Sequence, residues 1–335
     1  MQTNNIAVVV ATGPRSGSEA FSLFLEAWRE QFTKHAAMLV VVGDGESPMV
    51  RCGETTLCVS KVMRADGSNF SDLIFNRNSG VSNLGLAFIA RFLPAVDVIV
   101  TLDENALPEG DTIGDHLHTL QRRESLSWLA TSPRDIHGIP DAVRSEAPVV
   151  VSHGITRSLE NALDATFYTG PIPRSVYAPI QGTNLAFRRE VLEYVYFAPM
   201  GPRVGMDGFA DIWMGIFLKR ALDATNRAIY SGGATVCRER SSRLPIDFPA
   251  QKRARHLNET LWQGEETDSY FTLYAEKRER WTDFCSHAGS DAATLNTPIT
   301  KYGPGASVIS ASGVQPPGHV RPYLPESHEK GSGPL

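Results

Sequence analysis

Short apolar runs alternate with longer amphipathic segments in the first third of the chain. The runs at residues 6–11, 38–42 and 96–102 are rich in β-branched residues and predict buried strands. Apolar residues at helical spacing over residues 19–34 predict a helix between the first two runs. A strand, a helix and a second strand of these lengths form a βαβ unit, whose strands are parallel. The pattern therefore predicts an α/β fold with a doubly wound sheet flanked by helices.

Similar patterns continue to about residue 285. They predict further strands at 56–59, 149–153, 185–187 and 228–237, and helices at 82–92, 111–126, 208–222 and 257–284. Ser82 or Asn83 is expected to cap the first of these helices. His116 and His118 lie two residues apart on the second and do not share a helix face, so both are expected at the surface. His153 closes a strand, where a ligand or acid–base role and a structural role both remain open.

Residues 286–335 differ in character from the rest of the chain. Gly, Pro, Ser and Thr dominate this segment, and neither helical nor strand periodicity is present. We therefore divide the chain into a single domain, residues 1–285, and an irregular tail, residues 286–335, that is extended or disordered. Such a tail is also a candidate for contacts in a homo-oligomer.

Composition narrows the class of protein further. The chain has 335 residues and a formal net charge of −5, which gives no general attraction for nucleic acid. No run of 18 apolar residues and no basic-then-apolar N-terminus is present, which predicts a cytoplasmic protein without a membrane span. The four cysteines have no CxxC spacing, so no disulfide or zinc framework is expected.

Polar side chains follow the strand predicted at 96–102. Asp103, Glu104 and Asn105 come directly after Leu102, the last apolar residue of this run. In open α/β sheets ligands bind beyond the carboxyl ends of the strands, and oxygen ligands there suit Mg²⁺ or Mn²⁺ bridging to a diphosphate. An ordinary polar turn explains the same triplet equally well. Two other predicted strands end near Thr12 and Asp44, which are expected at the same edge.

Other segments carry candidate binding residues. Arg77 precedes a predicted helix and could contact a phosphate, or lie on a solvated loop. Gly182 allows close approach of the backbone to a ligand, and Asn184 can bind sugar hydroxyls, although a simple turn also fits. Asp211, near the start of an apolar helix, is either an N-cap or a group that points into a site.

Residues 238–256 form a locally basic stretch within an acidic chain. The basic residues outnumber Glu239 and Asp247 and are Arg238, Arg240, Arg243, Lys252, Arg253 and Arg255. Three interpretations remain open for this stretch: a solvated face, a clamp for a diphosphate, and a patch for a nucleic-acid acceptor.

Several segments together resemble a known family. The segments DVIVTLDEN, VVSHGI, YAPIQGTNLAFRREVLEYVYFAPMG, GFADIWMGIFLKR and ETLWQGEE are similar, in this order, to the reversibly glycosylated polypeptides, which are UDP-arabinopyranose mutases. The resemblance spans roughly residues 6–275. It implies a GT-A-type, Rossmann-like mixed sheet, a nucleoside-diphosphate sugar as substrate and a divalent metal, Mn²⁺ or Mg²⁺.

The chain departs from that family at the positions expected to carry the chemistry. The family has three aspartates where this chain has Asp103, Glu104 and Asn105, and a paired Asp-Asp where this chain has Ala210-Asp211. A family His aligns with Arg238, which cannot bind a metal but can hold a diphosphate with two hydrogen bonds. We therefore expect a divergent member in which Arg238 takes over part of the metal's work.

These features lead to one functional hypothesis with alternatives. We expect a metal-assisted glycosyltransferase that moves a sugar from a nucleoside-diphosphate donor, with UDP the expected nucleotide, to a hydroxyl acceptor. The resemblance implies retention of the anomeric configuration. The alternatives are a nucleotide-sugar mutase, a transferase acting on hydroxymethylated DNA bases, and a binding module without activity.

The hypothesis assigns roles to particular residues. Metal ligands are expected at Asp103 and Asn105. The expected catalytic residues are Asp211, Asn184 and Asp103, and the expected nucleotide-sugar contacts are Thr12, Asp44, Arg77, Leu102, Asp103, Glu104, Gly182 and Arg238.

Overall fold

The structure is a computed structural model, and it describes most of the chain before residue 292. The described residues are 5–12, 18–43, 56–58, 73, 79–126, 146–158, 168–176, 178, 180–201, 204–206, 208–238, 248–263 and 265–291. Two predicted contact residues, Asp44 and Arg77, lie outside them, as does the tail from residue 292 onward.

Strands and helices alternate along most of the described chain. The strands are β1 (Ile6–Thr12), β2 (Met38–Gly43), β3 (Thr56–Cys58), β4 (Val98–Asp103), β5 (Ala106–Glu109), β6 (Arg123–Ser125), β7 (Glu146–Ser158), β8 (Gly170–Pro171), β9 (Asn184–Arg188) and β10 (Ala228–Arg238). The α-helices are α1 (Ser18–Lys34), α2 (Ser82–Phe92), α3 (Thr112–Thr119), α4 (Ala210–Ala224), α5 (Phe248–Trp262) and α6 (Ser269–Asp291). Short 3₁₀ segments cover Ser79–Val81 and Arg189–Tyr194.

The strands form one mixed sheet, which confirms the predicted α/β class. Its strand order is β3-β2-β1-β4-β9-β7-β10-β5, with β6 beside β7 and β8 beside β10. The first four strands in this order, β3, β2, β1 and β4, run parallel to one another, as the βαβ pattern predicts. Strand β9 is antiparallel to both β4 and β7. At the far edge, β10 is parallel to β7 and antiparallel to β5.

Alternating residues of the central strands face two separate hydrophobic layers. In β1, Ala7 and Val9 belong to the layer that also contains apolar residues of α2, α4 and α6. Ile6, Val8 and Val10 belong to the opposite layer, which contains apolar residues of α1 and α3. Helices therefore cover both faces of the sheet, as expected for a doubly wound fold.

The link between β4 and β5 consists of Glu104 and Asn105 alone, although β9, β7 and β10 lie between these strands in the sheet. Helix α1 holds the start and end of β5 from one side. The Trp28 indole donates to the Ala106 carbonyl at 2.7 Å, and the Gln31 amide donates to the Gly110 carbonyl at 2.7 Å. The link therefore joins the centre of the sheet to its edge.

Several element boundaries differ from the sequence prediction. The helix expected over 111–126 ends at Thr119, because residues 123–125 pair with β7 as strand β6. The segment expected to be helical over 257–284 is divided between α5 and α6, with a break after Trp262. Helix α6 continues to Asp291, so the first residues assigned to the tail, 286–291, are helical.

The start of α2 also differs from the prediction. A 3₁₀ turn leads into the helix, and Val81 is the N-cap residue without a side-chain cap. Asn83 instead exchanges two hydrogen bonds of 2.9 Å with the backbone of Phe197, which ties α2 to a distant loop. Among the described residues, no helix is long and apolar enough to cross a membrane.

Candidate active site

The predicted acidic turn and the end of β10 meet at one edge of the sheet. The antiparallel pairing of β10 with β5 places Arg238 opposite Ala106, one residue after the turn. The Arg238 Nη2 lies 2.7 Å from the Asp103 Oδ2, and its Nε donates to the Asn105 Oδ1 at 3.1 Å. Arg238 therefore binds both residues that were expected to hold a metal.

Asp103 is partly open to solvent in this arrangement. Its side chain is 39% exposed and that of Arg238 is 43% exposed, so a ligand can reach both groups. Removal of water by the surrounding protein raises the pKa of the Asp103 carboxyl, and the charge of Arg238 opposes this effect. The carboxylate is thus partly withdrawn from water and still accessible; we call the surroundings of Asp103, Arg238 and Asp211 the recess.

Asp211 lies in the first turn of α4 and faces the same pair of charges. Burial raises the pKa of its carboxyl, the Asp103 charge raises it further, and Arg238 lowers it. The Asp211 Oδ1 also accepts a hydrogen bond of 2.9 Å from the Ile212 amide. Phe209, not Asp211, is the N-cap residue, so the carboxylate does not serve as the helix cap.

The donor set around Asp103 does not fit a conventional metal site. Asp103 and Asn105 each give an oxygen atom to Arg238, and Asn105 carries no charge. Nowhere among the described residues do three His, Cys, Asp or Glu side chains come together in a way that could hold a metal ion. Divalent cations in proteins usually take several oxygen ligands, with carboxylates prominent among them.

Asn184 is held inside the protein and does not face the recess. Its Oδ1 is 2.9 Å from the His116 Nε2, and its Nδ2 donates to the carbonyls of Ile155 and Ala234 at 3.1 and 3.3 Å. A Cβ on Gly154 would lie 2.1 Å from the Asn184 Nδ2, so this glycine makes room for the amide. The expected contact with a sugar hydroxyl is therefore replaced by a buried hydrogen-bond network.

His116 is fully buried, and the expectation of a surface position was wrong. The side chain has 0% exposure and its Nδ1 lies 2.8 Å from the Ser152 Oγ. Because the Asn184 Oδ1 can only accept, Nε2 carries the ring hydrogen and Nδ1 accepts from Ser152. Burial lowers the pKa of His116 to about 4, against the opposing effect of the Asn184 hydrogen bond. His118 is exposed, as expected.

His153 lies within strand β7, next to Ser152, and makes structural contacts with neighbouring segments. Its Nδ1 lies 3.2 Å from the Ser231 Oγ, and its Nε2 accepts from the Gln181 amide at 3.3 Å. Burial lowers the pKa of His153 to about 4. Of the two roles left open for this residue, these contacts favour the structural one.

The remaining described candidates lie around the same edge with more limited exposure. Thr12 is 7% exposed, its hydroxyl donates to the Val42 carbonyl at 3.4 Å, and its neighbour Ala11 pairs with Asp103. Leu102 is 4% exposed and packs in the α1-side layer. A Cβ on Gly182 would lie 2.4 Å from the Phe197 ring, so this glycine admits an aromatic side chain rather than a ligand.

The basic stretch is divided by the fold. Arg238 belongs to the recess, residues 239–247 lie outside the described chain, and the later part forms helix α5. On this helix Lys252, Arg253 and Arg255 are exposed, and Arg253 lies 3.8 Å from Asp268. The part of the basic stretch that lies on α5 is therefore best interpreted as a solvated face. Arg238, in contrast, is a charged group of the recess.

Comparison with known proteins shows distant relatives. No family model matches the chain. The probable UDP-arabinopyranose mutase 1 of Solanum tuberosum is 23% identical over 72% of this chain and 72% of its own length. UDP-arabinopyranose mutase 3 of Arabidopsis thaliana is also 23% identical, with the same coverage of both chains.

Solved structures of similar fold are more distant in sequence. Glucosyl-3-phosphoglycerate synthase from Mycobacterium tuberculosis, in complex with phosphoglyceric acid, is 14% identical, with a TM-score of 0.46 over 79% of this chain and 82% of that chain. A likeness of this degree assigns no function. The sequence relatives bear the names of enzymes, in agreement with the prediction of an enzyme, and the chain is a divergent relative of the UDP-arabinopyranose mutases.

Proposed function

We propose that the protein is an enzyme that uses a nucleoside-diphosphate sugar, with UDP as the expected nucleotide, and transfers the sugar to a hydroxyl acceptor. The observation that carries this proposal is the recess in which Asp103, Arg238 and Asp211 act on one another at the carboxyl end of β4. In open α/β sheets this edge is where ligands bind. The names of the sequence relatives support a UDP-linked sugar as the donor.

Each charged group of the recess has a distinct role in the proposed reaction. Transfer breaks the bond between the anomeric carbon and the diphosphate and leaves negative charge on the phosphate oxygens. The guanidinium of Arg238 stabilises this charge, and Asp103 holds the guanidinium in position. The acceptor oxygen bonds to the anomeric carbon, and its proton passes to the Asp211 carboxylate, whose raised pKa makes it a stronger base.

A thermal-shift panel tests the choice of substrate. The full chain is melted with UDP, GDP, UDP-sugars and GDP-sugars, each with and without Mn²⁺. A ligand at one hundred times its dissociation constant adds about 2.7 kcal/mol to the stability of the folded state, which is readily detected. If none of these compounds stabilises the chain at any concentration, the proposal is wrong.

A pair of variants tests the location of the site. Asp103→Asn removes the charge that holds Arg238, whereas Asp97→Asn removes an exposed carboxylate near the opposite end of β4. We expect the first variant to lose turnover of the donor and the second to retain it. Equal activities of the two variants would contradict the proposed site.

A mutase is the second candidate, because the relatives with that name align over 72% of this chain. Incubation with UDP-sugars in the absence of an acceptor separates the two activities. Formation of an isomeric UDP-sugar supports the mutase, and slow hydrolysis alone supports the transferase. The separation of products by anion-exchange chromatography measures both outcomes.

A further inference from the structure

We propose that the guanidinium of Arg238 replaces the divalent cation in this recess, so that the chain binds the diphosphate of its donor without a metal. This inference rests on the proposed function, because it concerns how the same site holds a nucleoside diphosphate. It replaces the expectation that Asp103 and Asn105 form a metal site.

One arginine contacts an oxygen atom of each residue that was expected to bind a metal. Nη2 of Arg238 pairs with the Asp103 Oδ2 at 2.7 Å, and Nε donates to the Asn105 Oδ1 at 3.1 Å. These atoms occupy adjacent positions on one edge of the planar guanidinium. Arg238 therefore fills the position between the two oxygen ligands that a cation would otherwise take.

The charges of the two residues in contact with Arg238 match a monovalent cation. Asp103 supplies one negative charge and Asn105 supplies none, so these two residues balance the single positive charge of Arg238, while the Asp211 carboxylate acts on the pair without an ion pair of its own to Arg238 among the described contacts. A divalent ion bound to the same two residues would have only one carboxylate partner, which is a weak donor set for Mg²⁺ or Mn²⁺.

The end of the guanidinium, formed by Nη1 and the second N–H of Nη2, remains for the ligand. Nη1 makes no hydrogen bond with any described residue, and the Arg238 side chain is 43% exposed. An arginine edge with two N–H groups binds phosphate oxygens in a bidentate manner. Asp103 and Asn105 thus orient the group, and its free edge is directed away from both of them.

The fold fixes the position of this arginine. Arg238 is paired with Ala106 in the β10–β5 ladder, and the Ala106 carbonyl accepts the Trp28 indole hydrogen at 2.7 Å. The guanidinium is therefore supplied by a strand end that is anchored to helix α1. A cation built into the sheet needs no uptake from solution, which is the functional difference from a bound metal.

Titration calorimetry with the full chain tests the inference. UDP is the probe, and each titration is performed once with excess EDTA and once with excess Mn²⁺. We expect the two dissociation constants to agree within about threefold, since the cation belongs to the chain. The variant Arg238→Met removes the charge and keeps most of the side-chain volume, and it should weaken binding in EDTA by roughly ten- to hundredfold.

Arg157→Met is the matched control. Arg157 is the second-to-last residue of the neighbouring strand β7, opposite Cys237, and its exposed side chain pairs with Glu109 at 3.2 Å. This variant loses one positive charge from the same sheet edge and should bind UDP like the unchanged chain. Circular dichroism and melting of each variant verify that it folds.

The outcomes separate the two proposals. Binding of UDP only with Mn²⁺, with Arg238→Met no weaker than the unchanged chain, would overturn the arginine substitution and leave the proposed function intact. No binding of UDP or GDP under either condition would overturn both. A double variant, Asn105→Asp with Arg238→His, supplies a second carboxylate and removes the guanidinium, and its UDP binding should become dependent on Mn²⁺. Retained metal-independent binding in that double variant would also contradict the inference.

Discussion

Replacement of the buried His116 by leucine should lower the stability of the fold and change its dependence on pH. The substitution keeps a comparable volume but leaves the Asn184 Oδ1 and the Ser152 hydroxyl without their partner. A buried polar group that loses its hydrogen bond costs about 1–3 kcal/mol. For two such groups, we expect His116→Leu to reduce the free energy of unfolding at pH 7 by about 2–6 kcal/mol.

The same histidine links stability to pH. Its pKa is about 4 in the folded chain and 6.5 for an unperturbed side chain. Between these values the unfolded chain binds a proton that the folded chain does not, so stability falls as the pH is lowered from 6.5 to 4. The contribution of His116 to the free energy of unfolding changes by about 3 kcal/mol between pH values above 6.5 and below 4, and about 2 kcal/mol of this is already lost at pH 5.

Urea unfolding at pH 7 and pH 5, followed by far-ultraviolet circular dichroism, measures both effects. The lowered pKa of His153 also reduces the stability of the fold as the pH falls, whereas the raised pKa values of Asp103 and Asp211 increase it. The substitution keeps all three residues, so their contributions are the same in both chains. The stability lost between the two pH values should therefore be about 2 kcal/mol smaller in His116→Leu than in the unchanged chain. His118→Gln, an exposed position on the same helix, should change neither quantity. An unchanged pH dependence in His116→Leu would refute the buried neutral imidazole.

Three further predictions concern the recess and its supports. Asp211→Asn should lower turnover of the donor by roughly a hundredfold or more while UDP binding in calorimetry stays similar, because only the proton acceptor is removed. Gly182→Ala should lower the melting temperature, since its Cβ would lie 2.4 Å from the Phe197 ring, and such overpacking costs about 1–3 kcal/mol. Arg189→Met should lower the free energy of unfolding in urea by about 2–4 kcal/mol, because the guanidinium donates to the carbonyls of Ile89, Ala90 and Leu93 at the end of α2.

The parts of the fold that depend on local pattern could be predicted from the sequence. The apolar runs that become β1 and β4 are buried on both faces, so their composition alone marks them as central strands. The position of β9 between β4 and β7 could not be predicted in this way. Its place depends on pairing between distant segments, such as Leu102 with Asn184, which no local period encodes.

The candidate site shows the same division. The acidic turn could be found because three polar side chains directly follow a buried strand. The contact between Arg238 and Asn105 joins residues 133 positions apart and becomes visible only in the folded chain. His116 had a usable signal, because Ile113 and Leu120 lie three residues before and four after it and are buried on the same face. The spacing of His116 from His118 carries no such signal, because residues two apart lie on different faces of a helix.

The two-residue link between β4 and β5 limits the shape that the sheet can adopt. In a flat sheet, four strand spacings of about 4.8 Å would separate these strands by about 19 Å. The three Cα steps from Asp103 to Ala106 span at most about 11 Å. The strands from β4 to β5 must therefore bend so that β5 comes close to β4, and the recess lies where these two strands approach each other. The length of the link limits the separation of Asp103 from Arg238, so one inserted residue in the link would weaken this contact without altering either side chain.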